Sequence, residues 1–161
     1  MKKKIVLGFG LLIILLIVWM GYKSVQNLET KTEIDKNQNN LSSVLANLGA
    51  IGVEPNKATI LVYFNSECEI CHWEMKHIAE HLVKLERYQL ILTSFEPEDE
   101  AIEFLEKHGL TEFYIKSTPK KVMSTFSGGV PQLFVYDKGK LKKNFKGEVK
   151  IEAILNSIES Q

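Results

Sequence analysis

Thr59 to Phe64, TILVYF, is an unbroken apolar and β-branched run, the pattern of a strand covered on both faces. Cys68 follows closely. Cys71, Met75, Ile78, Leu82 and Leu85 then form one apolar stripe at helical spacing. A strand, a tight connection and a helix in that order place Cys68 at or near a helix N-terminus. Leu90 to Ser94, LILTS, supplies a second strand and completes a βαβ unit with a parallel pair. Pro97-Glu98-Asp99 opens an acidic-started helix carrying Ala101, Ile102 and Leu105, and Gly109 closes it.

Phe113 to Ser117 reads either as a short strand or as irregular chain. Thr118-Pro119 is a cap followed by a first-turn proline, for a short helix that runs to Phe126 and ends at Gly128-Gly129. Val130-Pro131 precedes a third strand, Gln132 to Tyr136. Asp137-Lys138-Gly139-Lys140 is a hairpin turn, and Leu141 to Phe145 returns. Ile151, Ile154, Leu155 and Ile158 mark an amphipathic closing helix. The chain is therefore α/β: βαβ, then helical connections, then ββα.

Upstream, residues 1–22 read as a membrane anchor. Lys2, Lys3 and Lys4 precede Ile5 to Tyr22, which holds no charge and lies at the short end of what a spanning helix needs. Trp19 and Tyr22 suit the interface, and the lysines favour an N-terminus on the cytoplasmic side. The rival is a cleaved signal peptide, for which Trp19-Met20-Gly21-Tyr22-Lys23 is a poor cleavage site. Either way the remainder is exported. Residues 23–40 are polar without a sustained period and read as a tether. The domain occupies 41–161, opening with a short helix whose face is Leu41, Val44, Leu45 and Leu48, stopped by Gly49 or Gly52.

The charge balance excludes an electrostatic case for nucleic acid. Twenty basic residues meet twenty acidic ones, and no basic face stands out. Two cysteines are too few for a disulfide scaffold. Their closeness also argues against a structural bridge, because so small a loop constrains the unfolded chain little.

SECEICHW, Ser66 to Trp73, holds both cysteines and admits three chemistries. A redox dithiol fits the two-residue spacing. A helix N-terminus stabilises a thiolate, so Cys68 is the candidate nucleophile and Cys71 the candidate resolving thiol. Glu67 and Glu69 flank Cys68; facing it, they raise its pKa and favour a reductant, and facing water they do not. C-x-x-C-H is also a haem-attachment pattern, with His72 as axial ligand and Met75 or Met123 as distal candidates. A zinc site would add His77 and His81. With roughly 100° per helical residue, His77 and His81 lie to one side of Cys71 and His72 to the other, so they do not close on one ion.

YFNSECEIC after a buried strand, GGVPQLFVYDKGK some sixty residues on, and the terminal amphipathic helix together resemble the thioredoxin superfamily. The likeness runs from about Ala58 to the end. The anchored layout is similar to the extracytoplasmic thiol-disulfide oxidoreductases of bacterial envelopes. The resemblance implies a mixed central sheet with helices on both faces. It implies catalytic Cys68 and Cys71; Glu67, Glu69 and His72 are candidate tuning residues from their position beside the pair. It further implies a cis Val130-Pro131 beside the cysteines whose backbone receives an extended substrate segment. No cofactor or metal is needed. The partners would be protein disulfides or dithiols and a membrane electron donor.

The sequence departs from the family at Val62, where many members carry a buried acid six residues before the first cysteine. Proton transfer then falls to water, Glu67 or Tyr63. The expected activity is thiol-disulfide exchange outside the cytoplasmic membrane, as a reductase. A different class stays open: a redox-inactive interaction or chaperone module on the same fold.

Overall fold

β1 (Thr59–Phe64) is buried along its whole length because both of its faces are covered. The computed structural model describes residues 13–50 and 57–159 in full and residues 2–12 through their backbone alone. β2 (Gln89–Ser94) pairs with β1 in parallel, and β3 (Gln132–Asp137) pairs with it antiparallel. β4 (Lys140–Lys146) closes a four-stranded sheet of order β2-β1-β3-β4. The β3–β4 turn uses Lys138 and Gly139 at φ 49° and 75°, the left-handed pair that a two-residue hairpin requires.

Alternation along β1 sorts its side chains into two cores. Ile60, Val62 and Phe64 meet α3 (Glu69–Glu80), α5 (Glu98–Glu106) and α7 (Ile151–Glu159) through Met75, Ile78, Leu105 and Ile154. Leu61 and Tyr63 meet α2 (Leu41–Leu48) and α6 (Pro119–Thr125) through Leu41, Val44, Leu48 and Val122. Burying each such side chain contributes about 1.5–3 kcal/mol. The helix signals hold at the caps. Asn40 accepts from Ser43 N, Gly49 ends α2 at φ 76°, and Thr118 accepts from Lys121 N with Pro119 in the first turn. Gly52 and its neighbours from 51 to 56 lie outside the described residues.

Two segments differ from the sequence reading. The stripe from Cys71 to Leu85 is two helices, α3 and α4 (Leu82–Leu85), not one. At the break, His81 Nδ1 bonds His77 O at 2.9 Å, taking the carbonyl its own amide would use, and that amide turns to Ile78 O. Of the two readings of Phe113–Ser117, the irregular one holds: a 3-10 turn, Thr111–Phe113, leads to a single bridge between Tyr114 and Leu92.

The polar segment read as a tether is helical. It continues α1, which runs from Lys2 to Gln38, and no glycine or proline interrupts it after Gly21. Its last residue is tied to the domain: Gln38 Nε2 donates to Thr125 O at 2.9 Å, and Tyr136 OH donates to Gln38 O at 2.8 Å. The expected anchor over 1–22 falls partly on side chains outside the description. Among the described residues no helix is long and apolar enough to cross a membrane.

α3 also buries a carboxylate. Glu74 is fully enclosed; Oε2 accepts from Val149 N at 2.9 Å, and Oε1 has no partner among the described residues. Burial pushes its pKa up to about 7, helped by the Glu148 charge and opposed by the Val149 amide. A folded-state pKa above the unfolded value means the fold is most stable while Glu74 is protonated. That advantage is complete below the unfolded value of 4.5 and is lost as pH rises to about 7. Glu74→Gln should therefore remove this pH dependence. Urea unfolding at pH 5 and pH 8 checks it: the wild type should lose about 2.5 kcal/mol relative to the variant across that interval, and parallel behaviour of the two would contradict it.

Candidate active site

Leaving β1, the chain turns on Asn65. Its Oδ1 accepts from Glu67 N at 3.0 Å and its carbonyl from Cys68 N at 3.3 Å. This turn delivers Cys68 as the N-cap of α3, with extended backbone at φ −89° and ψ 112°. The Cys68 carbonyl starts the helix by accepting from Cys71 N at 2.9 Å and His72 N at 3.2 Å. The thiol does not cap the helix. It points across to the loop before β3, with Sγ 3.5 Å from Val130 O.

The two thiols are unequal. Cys68 is half-buried and Cys71 fully buried. Burial pushes the Cys71 thiol well above the ordinary range. Its hydrogen bond with Cys68 and the charges of Cys68 and Glu96 add to this, while a hydrogen bond with the Asn65 backbone opposes it. One sulfur therefore meets an incoming molecule while the other waits behind it as a thiol.

Val130 and Pro131 stand where the sequence reading put them, beside Cys68. Their peptide bond is cis. Pro131 is buried and Val130 half-buried. Buried Gln132 holds the approach to this loop, donating from Nε2 to Ser127 O and Gly129 O, both at 2.8 Å.

The proposed tuning residues do not gather on the thiols. Glu67 and Glu69 are exposed, and neither contributes to the Cys71 shift. His72 is exposed too, with Nε2 2.9 Å from Ser66 O and its ring edge-on to Phe104 at 4.7 Å. Val62, at the position of the family's buried acid, is a core residue. Tyr63, offered as a proton carrier, has its phenol pushed up by burial and by the charges of Cys71 and Glu96. Met75 is in the core, while Met123 is exposed on α6 across the sheet, so the two haem ligand candidates do not converge with His72. Among the described residues no three His, Cys, Asp or Glu side chains could hold a metal ion.

The sequence reading missed Glu96. It lies just after β2, buried, and its carboxylate grips the loop ahead of Cys68. Ser66 N donates to Oε1 and Oε2 at 3.0 and 2.9 Å, Ser66 Oγ donates to Oε1, and Ser94 Oγ donates to Oε2 at 2.7 Å. With His72 on the Ser66 carbonyl, this residue is held at its amide, hydroxyl and carbonyl. The one available signal was position, an acid directly before Pro97 at a strand end, but Glu98, Asp99 and Glu100 beside it made it look like part of a helix's acidic start.

In a Cys68→Ser background, Glu96→Gln should lower the pH at which Cys71 becomes reactive toward iodoacetamide, because a negative charge near the thiolate is gone. Burial should keep that pH above the range of a free thiol. A midpoint that stays put or rises in the pH profile of alkylation would contradict the assignment.

No family model matches the chain, and no curated protein matches it in sequence. Solved structures do. DsbF from MTB, in mixed oxidised and reduced forms, superposes with TM-score 0.57 at 15% identity, over 65% of this chain and 81% of that one. A thiol:disulfide interchange protein of the thioredoxin family from Chlorobium tepidum gives TM-score 0.56 at 16% identity, over 66% and 80%. StoA from Bacillus subtilis gives 0.54 at 19%, over 63% and 82%. At these identities the likeness shows the fold. The chain has the α/β thioredoxin-like fold, and its structural neighbours include a thiol:disulfide interchange protein of the thioredoxin family and a secreted disulfide oxidoreductase.

Proposed function

We propose that this chain is a thiol-disulfide oxidoreductase that exchanges with protein substrates through Cys68 and Cys71. One observation carries the reading: a half-buried thiol at a helix N-cap, aimed at the Val130 carbonyl, with a buried partner thiol one turn on. Cys68 as thiolate attacks a substrate disulfide. A new S–S bond joins Cys68 to the substrate, and the substrate's other sulfur leaves as a thiolate and takes a proton. Cys71 then loses its proton and attacks Cys68 Sγ. The substrate departs as a dithiol, and the enzyme holds a Cys68–Cys71 disulfide. Two electrons pass to the substrate, and a dithiol donor must restore them.

The surroundings of Cys71 support the reductase reading. A pair whose thiolate form is stabilised when reduced is an oxidant. Here burial and the Glu96 charge work against a thiolate at Cys71. The Val130 carbonyl beside Cys68 suits an extended substrate segment, held through main chain with little side-chain selection.

We further propose that residues 1–22 anchor the chain in the cytoplasmic membrane with the N-terminus inside, leaving the domain outside. The uncharged run from Ile5, the lysines before it, and the exposure of every residue from Ile13 to Tyr22 support this. A membrane protein is then a fitting electron donor.

The full chain in detergent, with dithiothreitol as donor, should accelerate insulin reduction. Cys68→Ala should bring the rate to the uncatalysed background. Cys71→Ser, pre-reduced and then freed of dithiothreitol, should accumulate a mixed disulfide with insulin, visible on a non-reducing gel. Equal rates for the wild type and Cys68→Ala would sink the proposal and favour a redox-inactive module.

A further inference from the structure

α1 does not leave the domain from the end opposite its dithiol, as a simple stalk would. The direction of each element follows from its hydrogen bonds. α2 begins at the β3–β4 turn, where Leu41 N bonds Gly139 O at 2.9 Å. That turn lies at the start of β1, since Thr59 pairs with Tyr136. α2 ends where Leu48 O accepts from Ser117 Oγ at 2.8 Å. Ser117 lies beyond Ile115, which bonds Leu92, the partner of Val62 near the end of β1. α2 therefore runs toward the end of the sheet that carries Cys68.

α1 joins α2 through Asn39 and Asn40 alone and folds back along it. Thr30, Glu33 and Ile34 of α1 line one groove with Ala46 and Asn47 of α2 and Met123 of α6. Thr30 to Asn37 of α1 flank this groove, so α1 runs back toward the end of α2 that holds Ala46 and Asn47, the dithiol end of the sheet. From Thr30 to Tyr22 the helix rises about 12 Å further. It projects past the dithiol end, and its side chains from Ile13 to Met20 are each at least 44% exposed on a helix apolar all round.

We propose that α1 is a strut that turns the Cys68 end of the domain toward the membrane, so that the dithiol faces a membrane-embedded protein presenting a dithiol or disulfide at the outer surface. This rests on the exchange and anchoring readings above. A flexible tether would let Cys68 sample all directions. A continuous helix pinned by Gln38 to Thr125 and Tyr136 does not. Among the exposed side chains next to the dithiol on α3, Ile70 and Trp73 are large and apolar, a contact for a partner standing on that side, with Glu69 and His72 exposed between and beside them.

Fluorescence quenching on vesicles tests the orientation. The full chain is reconstituted in phosphatidylcholine vesicles carrying a nitroxide on the headgroup. One sample bears bimane on Cys68 in the Cys71→Ser variant. The other bears it on Lys140→Cys, beside the β3–β4 turn, in the cysteine-free Cys68→Ser, Cys71→Ser background. Bimane at Cys68 should be quenched several-fold more than bimane at residue 140. A flexible Gly-Ser-Gly-Ser insertion after Lys23 should erase that difference. If labelling Cys68 lowers the melting temperature, Glu100→Cys, exposed on the groove beside Ser66 and His72, replaces it as reporter. Equal quenching, stronger quenching at residue 140, or a difference that survives the insertion would overturn the strut. Failure to partition into vesicles would overturn the anchor and the strut together. Insulin reduction by the unlabelled chain is read separately, so the exchange chemistry stands or falls independently of these outcomes.

Discussion

The site depends on a buried carboxylate that holds the turn between β1 and α3. Glu96 accepts from the Ser66 amide and hydroxyl and from the Ser94 hydroxyl. Hydrogen bonds to a charged group contribute roughly 1.5–3 kcal/mol each, against several kcal/mol for removing the charge from water. Their net effect is geometric: a short loop has one conformation, and Cys68 enters α3 in one direction. The same charge then bears on Cys71. One side chain links the placement of the first sulfur to the protonation of the second.

That arrangement requires a rigid base, which the two-sided burial of β1 provides. Alternate side chains of one strand feed separate cores, so neither face slips without exposing the other. α3 rests on one core through Cys71, Met75 and Ile78. Cys71 is thus a packing residue as well as the proposed resolving thiol. Its burial follows from the helical stripe that holds α3 down.

Much of this was legible in the chain. TILVYF as an interior strand, the cysteine pair at a helix start, the Thr118-Pro119 cap and the Lys138-Gly139 turn each follow from local rules that tertiary contacts here reinforce. The losses have physical causes. Glu96 and Glu98 are the same residue type two positions apart, and only the fold buries the first. The break at His81 depends on a side chain competing for a carbonyl that periodicity does not see. The helical course of residues 24–38 was hidden because polarity without period reads as a tether, while a stretch free of glycine and proline, docked at Gln38, propagates a helix already begun.

β4 carries a last consequence. Lys140, Lys142, Lys143 and Lys146 are all exposed along this outer strand, and a bulge interrupts its pairing opposite Val135 and Tyr136. A fringe so dense in ammonium groups discourages another polypeptide from zipping onto the sheet. The lysines therefore leave the open side of the sheet a poor template for aggregation.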